Sequence, residues 1–401
     1  MSTDQHRGSA SWPAIAWEER EWHPKIPPDL VSRSVRDRHR GPYLAAVAPP
    51  IASLDPHVPT AIAALAAEAT AEIARFDAEI GSELAPFAAV LIRSESASSS
   101  RIENLTSSAK AIALAELGSP EKRNATEIVG NVKAMTVAIA LADRLDADAI
   151  LSMHAALMRG HPEQTPGEWR TEQVWIGGDS FGPHGADFIP PHHSRVVAAI
   201  DDLVRFTQRT DLPLLIQASI AHAQFETIHP FSDGNGRTGR ALIHAMLRGH
   251  GLTSKVTVPV SAGLLANTRA YFETLTDYRN GDPAAIVEQV ANASFAAITN
   301  GRQLVSDLTR IREAWNDKIA ARRDATAWIL ADLLLRQPVV DAGLVSAEVG
   351  VALAGAMRPI TPLVDAGVLT EFTGFKRNRM WQSSEVLTAL DDFAARAVRR
   401  R

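Results

Sequence analysis

Apolar residues recur at three- and four-residue steps along most of the chain, which predicts a mainly α-helical protein. Ile62, Leu65, Ala66, Ala69, Ile73, Phe76 and Ile80 follow this spacing in an alanine-rich stretch between Pro56 and Gly81, and alanine has the highest helix propensity. The same spacing predicts helices over 86–96, 108–117, 124–142, 147–159, 194–208 and 213–228, set apart by Gly, Pro and Asp clusters. The exception is Glu172 to Pro190, where Val174-Trp175-Ile176 and Asp187-Phe188-Ile189 flank a glycine-rich connection, Gly177 to Gly185. That pattern predicts a small β-hairpin on a helical body. A long helical region runs from Leu264 to about Ala321, and the texture changes at Arg322-Arg323. The tail then predicts a helix over 325–336, a short helix over 346–354, a third ending near Gly367, and short strands at Val368–Phe372 and Arg379–Gln382 around Gly374. This is the order of a winged helix. Three regions are expected: an N-terminal helical region, 1–115; a core with following helices, 116–322; and a winged-helix domain, 323–401. The segment before about Pro56 carries no readable pattern.

At 401 residues the chain exceeds one comfortable core, in keeping with several domains. With 41 Lys and Arg against 46 Asp and Glu the formal charge is -5, so a protein that coats nucleic acid is disfavoured and only a local basic face remains open. No cysteine is present, which excludes disulfides, thiolate nucleophiles and cysteine-held metal or iron–sulfur sites. Any metal must take oxygen or histidine ligands. The first residues are polar, with Trp12 and Trp17, and lack the basic start and apolar run of a secretory signal. Apolar stretches such as Asp146 to Met158 fall short of the roughly 18–20 residues of a membrane span. A cytoplasmic protein without a membrane partner is expected.

The most informative segment is His229-Pro230-Phe231-Ser232-Asp233-Gly234-Asn235-Gly236-Arg237-Thr238-Gly239-Arg240, between two apolar-periodic stretches. Gly234 and Gly236 let the backbone turn tightly before a helix whose first N–H groups are unpaired, and such a helix start binds phosphate. Arg237 and Arg240 are three apart and share one helix face, from which both can reach a polyphosphate. Asp233 offers a hard oxygen ligand suited to Mg²⁺, and His229 can take a proton near neutral pH. No Gly-x-x-x-x-Gly-Lys-Ser/Thr element occurs, so nucleotide binding rests on this loop.

The segment resembles the Fic family, whose motif His-Pro-Phe-x-Asp/Glu-Gly-Asn-Gly-Arg-x-x-Arg is matched from His229 to Arg240 without departure. The resemblance implies a Fic-type helical core and the transfer of AMP from ATP to a hydroxyl side chain of a target protein, with pyrophosphate leaving. It makes His229 the base and Asp233 the Mg²⁺ ligand. Asn235 with the Gly234 and Gly236 backbone would hold the α-phosphate, and Arg237 and Arg240 the β- and γ-phosphates. The family branch that transfers phosphate has lysine where Gly236 stands, so glycine favours AMP transfer. Ser99-Ser100-Arg101-Ile102-Glu103-Asn104 resembles the family's inhibitory motif, which implies that Glu103 pairs with Arg240 and blocks productive γ-phosphate placement. The bland alternative for this stretch is a polar helix end with an N-cap serine and a solvated glutamate.

Gly167 to Gly178, followed by Phe188-Ile189-Pro190-Pro191, looks like the family's flap, with Val174, Trp175 and Ile176 as the strand that would register an extended target segment. His184, His192 and His193 near this loop are expected to be solvated rather than metal-bound. The tail resembles the winged-helix domain appended to many Fic proteins. From Met357 onward it has eight Lys and Arg to five Asp and Glu, with Lys376, Arg377 and Arg379 at the wing. Pro359 and Pro362 shorten the helix that would read DNA, so structural or protein-contact use is preferred. The expected partners are ATP with Mg²⁺ and a target Ser, Thr or Tyr hydroxyl, with self-modification and a homodimer as further arrangements. Two rival functions are removal of AMP by the same site and a winged-helix DNA-binding regulator; a steep salt-dependent DNA affinity would single out the regulator.

Overall fold

Helices dominate the computed structural model, which describes residues 12–24, 32–81, 85–119, 121–322, 325–374 and 378–398. In chain order the elements are β1 (Ala16–Arg20), α1 (Arg33–Arg38), β2 (Tyr43–Val47), α2 (Thr60–Gly81), α3 (Ala85–Ile102), α4 (Ala109–Glu116), α5 (Arg123–Ala140), α6 (Ala147–Leu157), α7 (Val196–Thr207), α8 (Leu214–Ile228), α9 (Asn235–Gly249), α10 (Val260–Leu265), α11 (Thr268–Arg279), α12 (Ala284–Lys318), α13 (Thr326–Arg336), β3 (Val339–Asp341), α14 (Ala342–Val349), α15 (Met357–Asp365), β4 (Thr370–Glu371), β5 (Met380–Gln382) and α16 (Ser384–Arg396). The chain forms two compact units. One comprises residues up to Ala67 with Val137–His250 and Arg269–Val290; the other comprises Glu68–Thr136, Gly251–Thr268 and the chain from Ala291 onward.

The first unit is organised around α8, which is buried on every side from Leu215 to Ile228. A helix with no solvated face must satisfy its polar side chains inside the protein. Gln217 Nε2 donates to the carbonyls of Phe206 (2.7 Å) and Arg209 (2.9 Å), Ser219 and Thr227 hydroxyls bond back one turn, and Gln224 joins Pro49 O to the Tyr278 hydroxyl. Helix α7 packs on α8 with Val196, Ile200, Leu203 and Phe206, an apolar stripe at helical spacing. Helix α9 packs on the other flank, and Gly239 permits the approach. A Cβ there would stand 2.8 Å from Glu226 Oε1, 2.9 Å from Phe225 Cδ1 and 3.2 Å from His222 Nδ1. Strands β1 and β2 pair antiparallel, a hairpin in the region where the sequence pattern predicted nothing. The predicted flap hairpin is present at its minimum, one antiparallel bridge between Ile176 and Phe188. Gly177 and Gly178 follow with φ of 75° and 71°, and these left-handed steps curl the chain away after one pair.

In the second unit α3 packs against α10, α13 and α16, and the tail carries a three-stranded antiparallel sheet in the order β3-β5-β4. Helix α3 runs six residues past its predicted end at Ser96. Serine is an indifferent helix former, but here the polar face is bonded: Asn131 Nδ2 donates to Ser96 O (2.9 Å) and Ser100 Oγ (3.2 Å), while Glu95 accepts from Ser261 N–H (2.8 Å). Helix α14 starts at Ala342 rather than Ser346, because the Asp341 carboxylate caps it by accepting from Leu344 N–H (2.7 Å). Helix α15 has nine residues, with Pro359 in its first turn and Pro362 inside. Helix α16, buried through Val386, Leu390 and Phe393, was not predicted. At the predicted wing, Arg379 pairs with Glu371 and lies over the Trp381 ring at 5.0 Å. Lys376, Arg377 and Arg323 lie outside the described residues.

Gly239→Ala should lower the unfolding free energy by about 1–3 kcal/mol, the usual cost of overpacking a closed core. Chemical denaturation checks this, and an unchanged midpoint would mean that α8 and α9 can separate freely at this point.

Candidate active site

Helix α8 ends at His229, which adopts φ 50° and ψ 62° and donates its N–H to Phe225 O at 2.8 Å. A left-handed conformation at a non-glycine residue is uncommon and needs external support. Arg170 supplies it. Its backbone N–H donates to Pro230 O (3.0 Å), its Nε to His229 O (2.8 Å), its Nη1 to Glu172 O (2.9 Å), and its Nη2 to Pro191 O and Ile228 O. The His229 ring is 19% exposed, with Nδ1 buried and 4.0 Å from Glu226 Oε2. Burial, together with the positive charges of Arg170 and Arg279, pushes its pKa down to about 3, so the ring is neutral at physiological pH.

The turn beyond His229 is fixed from within. The buried Asn235 side chain accepts from Phe231 N–H and donates to Phe231 O, both at 2.9 Å. The Phe231 ring stacks on His154 at 3.7 Å and on Trp169 at 5.0 Å. Gly167 N–H donates to His154 Nδ1 (3.0 Å), so the imidazole proton lies on Nε2, which donates to Asp233 O (3.2 Å). Gly234, φ 75°, caps α9, and a Cβ there would lie 2.9 Å from Leu157 Cδ2.

The start of α9 carries the candidate anion contacts. Its first i to i−4 bond is Thr238 N–H to Gly234 O (3.0 Å), so the N–H groups of Asn235, Gly236 and Arg237 precede the helical ladder. Arg237 and Arg240 are 3% and 1% exposed, and guanidinium groups so placed act at low dielectric, where attraction to phosphate is strong. Asp233 is 54% exposed; its Oδ1 accepts from Gly234 N–H (2.6 Å) and lies 3.7 Å from Arg237 Nη2. Among the described residues no three His, Asp or Glu side chains are grouped as a metal cage. One exposed carboxylate beside a phosphate-binding helix start suits Mg²⁺, which takes its remaining ligands from phosphate and water.

The structure brings His229, Asp233, Gly234, Asn235, Gly236, Arg237 and Arg240 together in the first unit, on one loop and the helix it opens. The Asn235 side chain engages the Phe231 backbone and so also shapes the turn. Val174, Trp175 and Ile176 lie in the same unit, where Trp175 Nε1 donates to Asp179 O (2.8 Å) and meets Trp22 edge-on at 5.5 Å. Glu103 belongs to the second unit, exposed just after α3. Of the bland alternative for that stretch, the N-cap serine is not found, because Ser99 and Ser100 are buried in the last turn of α3, while Glu103 stands exposed at the helix end and Asn104, φ 62°, follows it. His184 and His192 are not simply solvated: His184 Nε2 is 3.1 Å from Gly41 O, and His192 Nδ1 is 2.9 Å from Ser194 Oγ. The sequence reading gave no role to Arg170, His154, Glu226 or Arg279. A histidine at position 154 inside an otherwise apolar helix was the readable signal among them.

A mostly helical unit, with a histidine at the end of one buried helix and a glycine-capped anion cradle opening the next, defines the class of protein. Residues 144–247 match the Fic/DOC family, so the chain carries a Fic/DOC family domain. The chain is 31% identical over 157 residues to protein adenylyltransferase fic-1 of Caenorhabditis elegans, covering 39% of this chain and 28% of that protein. It is 42% identical over 69 residues to probable protein adenylyltransferase aq_aa38 of Aquifex aeolicus, covering 17% of this chain and 22% of that one. The matches thus span about a quarter of the length of these relatives. The crystal structure of a Fic family protein from Desulfovibrio desulfuricans G20 shares the fold at a TM-score of 0.52 and 21% identity, covering 82% of this chain and 97% of that one.

Three imidazoles are held neutral by burial: His154, pKa lowered to about 4, and His222 and His229, each to about 3. Unfolded histidines titrate near 6.5, so below that pH the unfolded chain takes up protons that the native chain refuses. Their contribution is fully present above about pH 6.5 and is lost as the pH falls towards 4, by up to about 1.4 kcal/mol per pH unit for each group. Urea titrations between pH 7 and pH 4.5 should show stability falling with acid. A flat profile would mean that these rings ionise freely in the fold.

Proposed function

We propose that this chain is a protein adenylyltransferase that transfers AMP from ATP to a Ser, Thr or Tyr hydroxyl of a target protein. The observation that carries the proposal is the loop and helix start from His229 to Arg240 within the Fic/DOC domain: a neutral, partly exposed imidazole next to a helix N-terminus flanked by two buried arginines and an exposed carboxylate. The substrate hydroxyl oxygen attacks the α-phosphorus, the bond from that phosphorus to the α–β bridging oxygen breaks, and pyrophosphate leaves. His229 takes the hydroxyl proton. Its low pKa keeps the ring unprotonated while the site is empty; the negative charge of a bound polyphosphate opposes Arg170 and Arg279 and raises proton affinity as the substrate arrives. The α9 N–H groups with Arg237 and Arg240 hold the phosphates in line. Asp233 would hold Mg²⁺, which when bound neutralises charge on the departing pyrophosphate. The segment at Val174–Ile176 is suited to receive an extended target backbone.

Regulation by Glu103 is part of the same proposal. Its support is the match to the inhibitory motif and the fixed exit of α3, where Leu105 N–H bonds Ser100 O (3.0 Å) and holds the turn that presents Glu103. The tail is read as a winged helix used for protein contact rather than DNA, since Arg379 is engaged by Glu371. The cytoplasmic assignment remains part of the proposal.

His229→Ala should reduce AMP transfer by roughly 10²- to 10⁴-fold while ATP still binds, and Asp233→Ala should cripple turnover even at saturating ATP. Labelling with α-labelled ATP and Mg²⁺, alongside ATP-binding isotherms, reads both effects. Undiminished labelling in His229→Ala would remove the base from its role, and full recovery of Asp233→Ala at high Mg²⁺ or ATP would reduce Asp233 to an affinity contact.

Glu103→Gly should raise self-labelling or target labelling, whereas Arg240→Ala should be inactive both alone and combined with Glu103→Gly. If AMP removal were the main reaction, Glu103→Gly would instead slow release of AMP from a modified target. Unchanged rates in both directions would leave Glu103 without a functional part.

A further inference from the structure

A small cleft, open to solvent, lies within the second unit between the end of α3, the start of α4 and α16. Leu105, Ile112, Ile128, Leu390 and Phe393 give it an apolar lining. Two arginines add donors to its wall. Arg93 gives Nε and Nη2 to Glu116 and Nη2 to Gln337 (3.0 Å), but its Nη1 is buried with no hydrogen-bond partner among the described residues. Arg101 donates from Nη1 to Ala394 O at a long 3.4 Å. The one carboxylate on the wall, Asp391, accepts from Ala109 N–H (2.9 Å) and so caps α4. A buried N–H without an acceptor costs free energy until an acceptor arrives, and the surplus here is of donors. An apolar cleft with one buried guanidinium nitrogen, Arg93 Nη1, awaiting an acceptor suits a ligand with an apolar body and one anionic head.

The position of the cavity gives that ligand a consequence. Ser98 and Arg101 line it on one side of Glu103, and Leu105, Thr106 and Ser107 line it on the other. The segment that carries Glu103 is therefore its rim. We propose that the cavity binds a small amphiphilic carboxylate, and that occupancy shifts the α3 exit and relieves the restraint exerted by Glu103. The gating half of this rests on the inhibitory role proposed above; the binding half does not.

Octanoate and 1-octanol, equal in chain length and different in charge, test it on the full chain. Octanoate should raise the melting temperature and should raise AMP transfer by about fivefold or more, the low end of ordinary coupling between sites, while 1-octanol does neither. Ala97→Phe, which fills the cavity from α3, should keep basal transfer and lose both responses. Arg93→Met should lose the preference for octanoate over 1-octanol; if it fails to fold, Ala97→Phe still decides the matter. In Glu103→Gly, octanoate should bind as well as before without accelerating transfer. No thermal shift with octanoate, or the same shift in Ala97→Phe, overturns the site. Binding without a change in wild-type transfer overturns the gating. A Glu103→Gly variant no faster than wild type would instead refute the inhibitory reading and the gating with it, while the thermal shifts still judge the site.

Discussion

Two buried helices, α8 and α9, are joined by a short turn that several protein donors hold in place, and this constraint shapes the first unit. The four carbonyls from Ile228 to Phe231, and that of Asp233, accept from side chains or backbone elsewhere in the unit. Each one left unpaired would cost about 1–3 kcal/mol. Arg170 takes those of Ile228, His229 and Pro230 with one residue, Asn235 takes that of Phe231, and His154 takes that of Asp233. Five rigid donors in a fork make arginine the side chain able to bond several diverging carbonyls at once, and lysine could not replace it here.

The same solution sets the electrostatics. Burial lowers the His229 pKa most, and the arginine brought in to satisfy carbonyls adds a positive charge next to the ring. Arg170 itself is pushed down to about 10 by burial, a sign of how much solvation it has lost. The site is thus assembled with a neutral imidazole beside buried arginines. Arg170 thus contributes to both structural support and chemical tuning, so a change there would move both.

The loop was legible in the sequence because each of its residues answers a local demand. Gly234 needs a left-handed angle and the arginines need one helix face, whereas the need for Gly239 arises only from its contact with α8. The helical body was legible through its spacing. What escaped lacked a local signal. Strand β1 is Ala-Trp-Glu-Glu-Arg, with three of its five residues charged, and pairs with β2 across it. The true start of α14 depended on Asp341 acting as a cap, which a pattern of apolar positions does not register. Arg170 stood in plain view within the flap match, yet its role depends on carbonyls about 60 positions further along the chain.

Helix α3 shows the opposite route to a rigid mount. Its last turns are rich in serine, a composition that would fray in water, yet Ser94, Glu95, Ser96, Ser98, Ser99 and Ser100 are all buried. Glu95 is held by Ser261 at the start of α10, and Asn131 from α5 spans Ser96 and Ser100. Small side chains permit this close approach, and the polar bonds then select one register, since sliding the helix by a residue would leave all of them unmade. A helix held in register along its length ends at a defined point, and Asn104 in the left-handed conformation turns the chain there. Glu103 is consequently presented at a fixed place by a helix that combines buried apolar side chains such as Phe87 and Leu91 with buried polar bonds near its end. Such a mount is sensitive to anything that inserts beside its last turn, which is where the cavity opens.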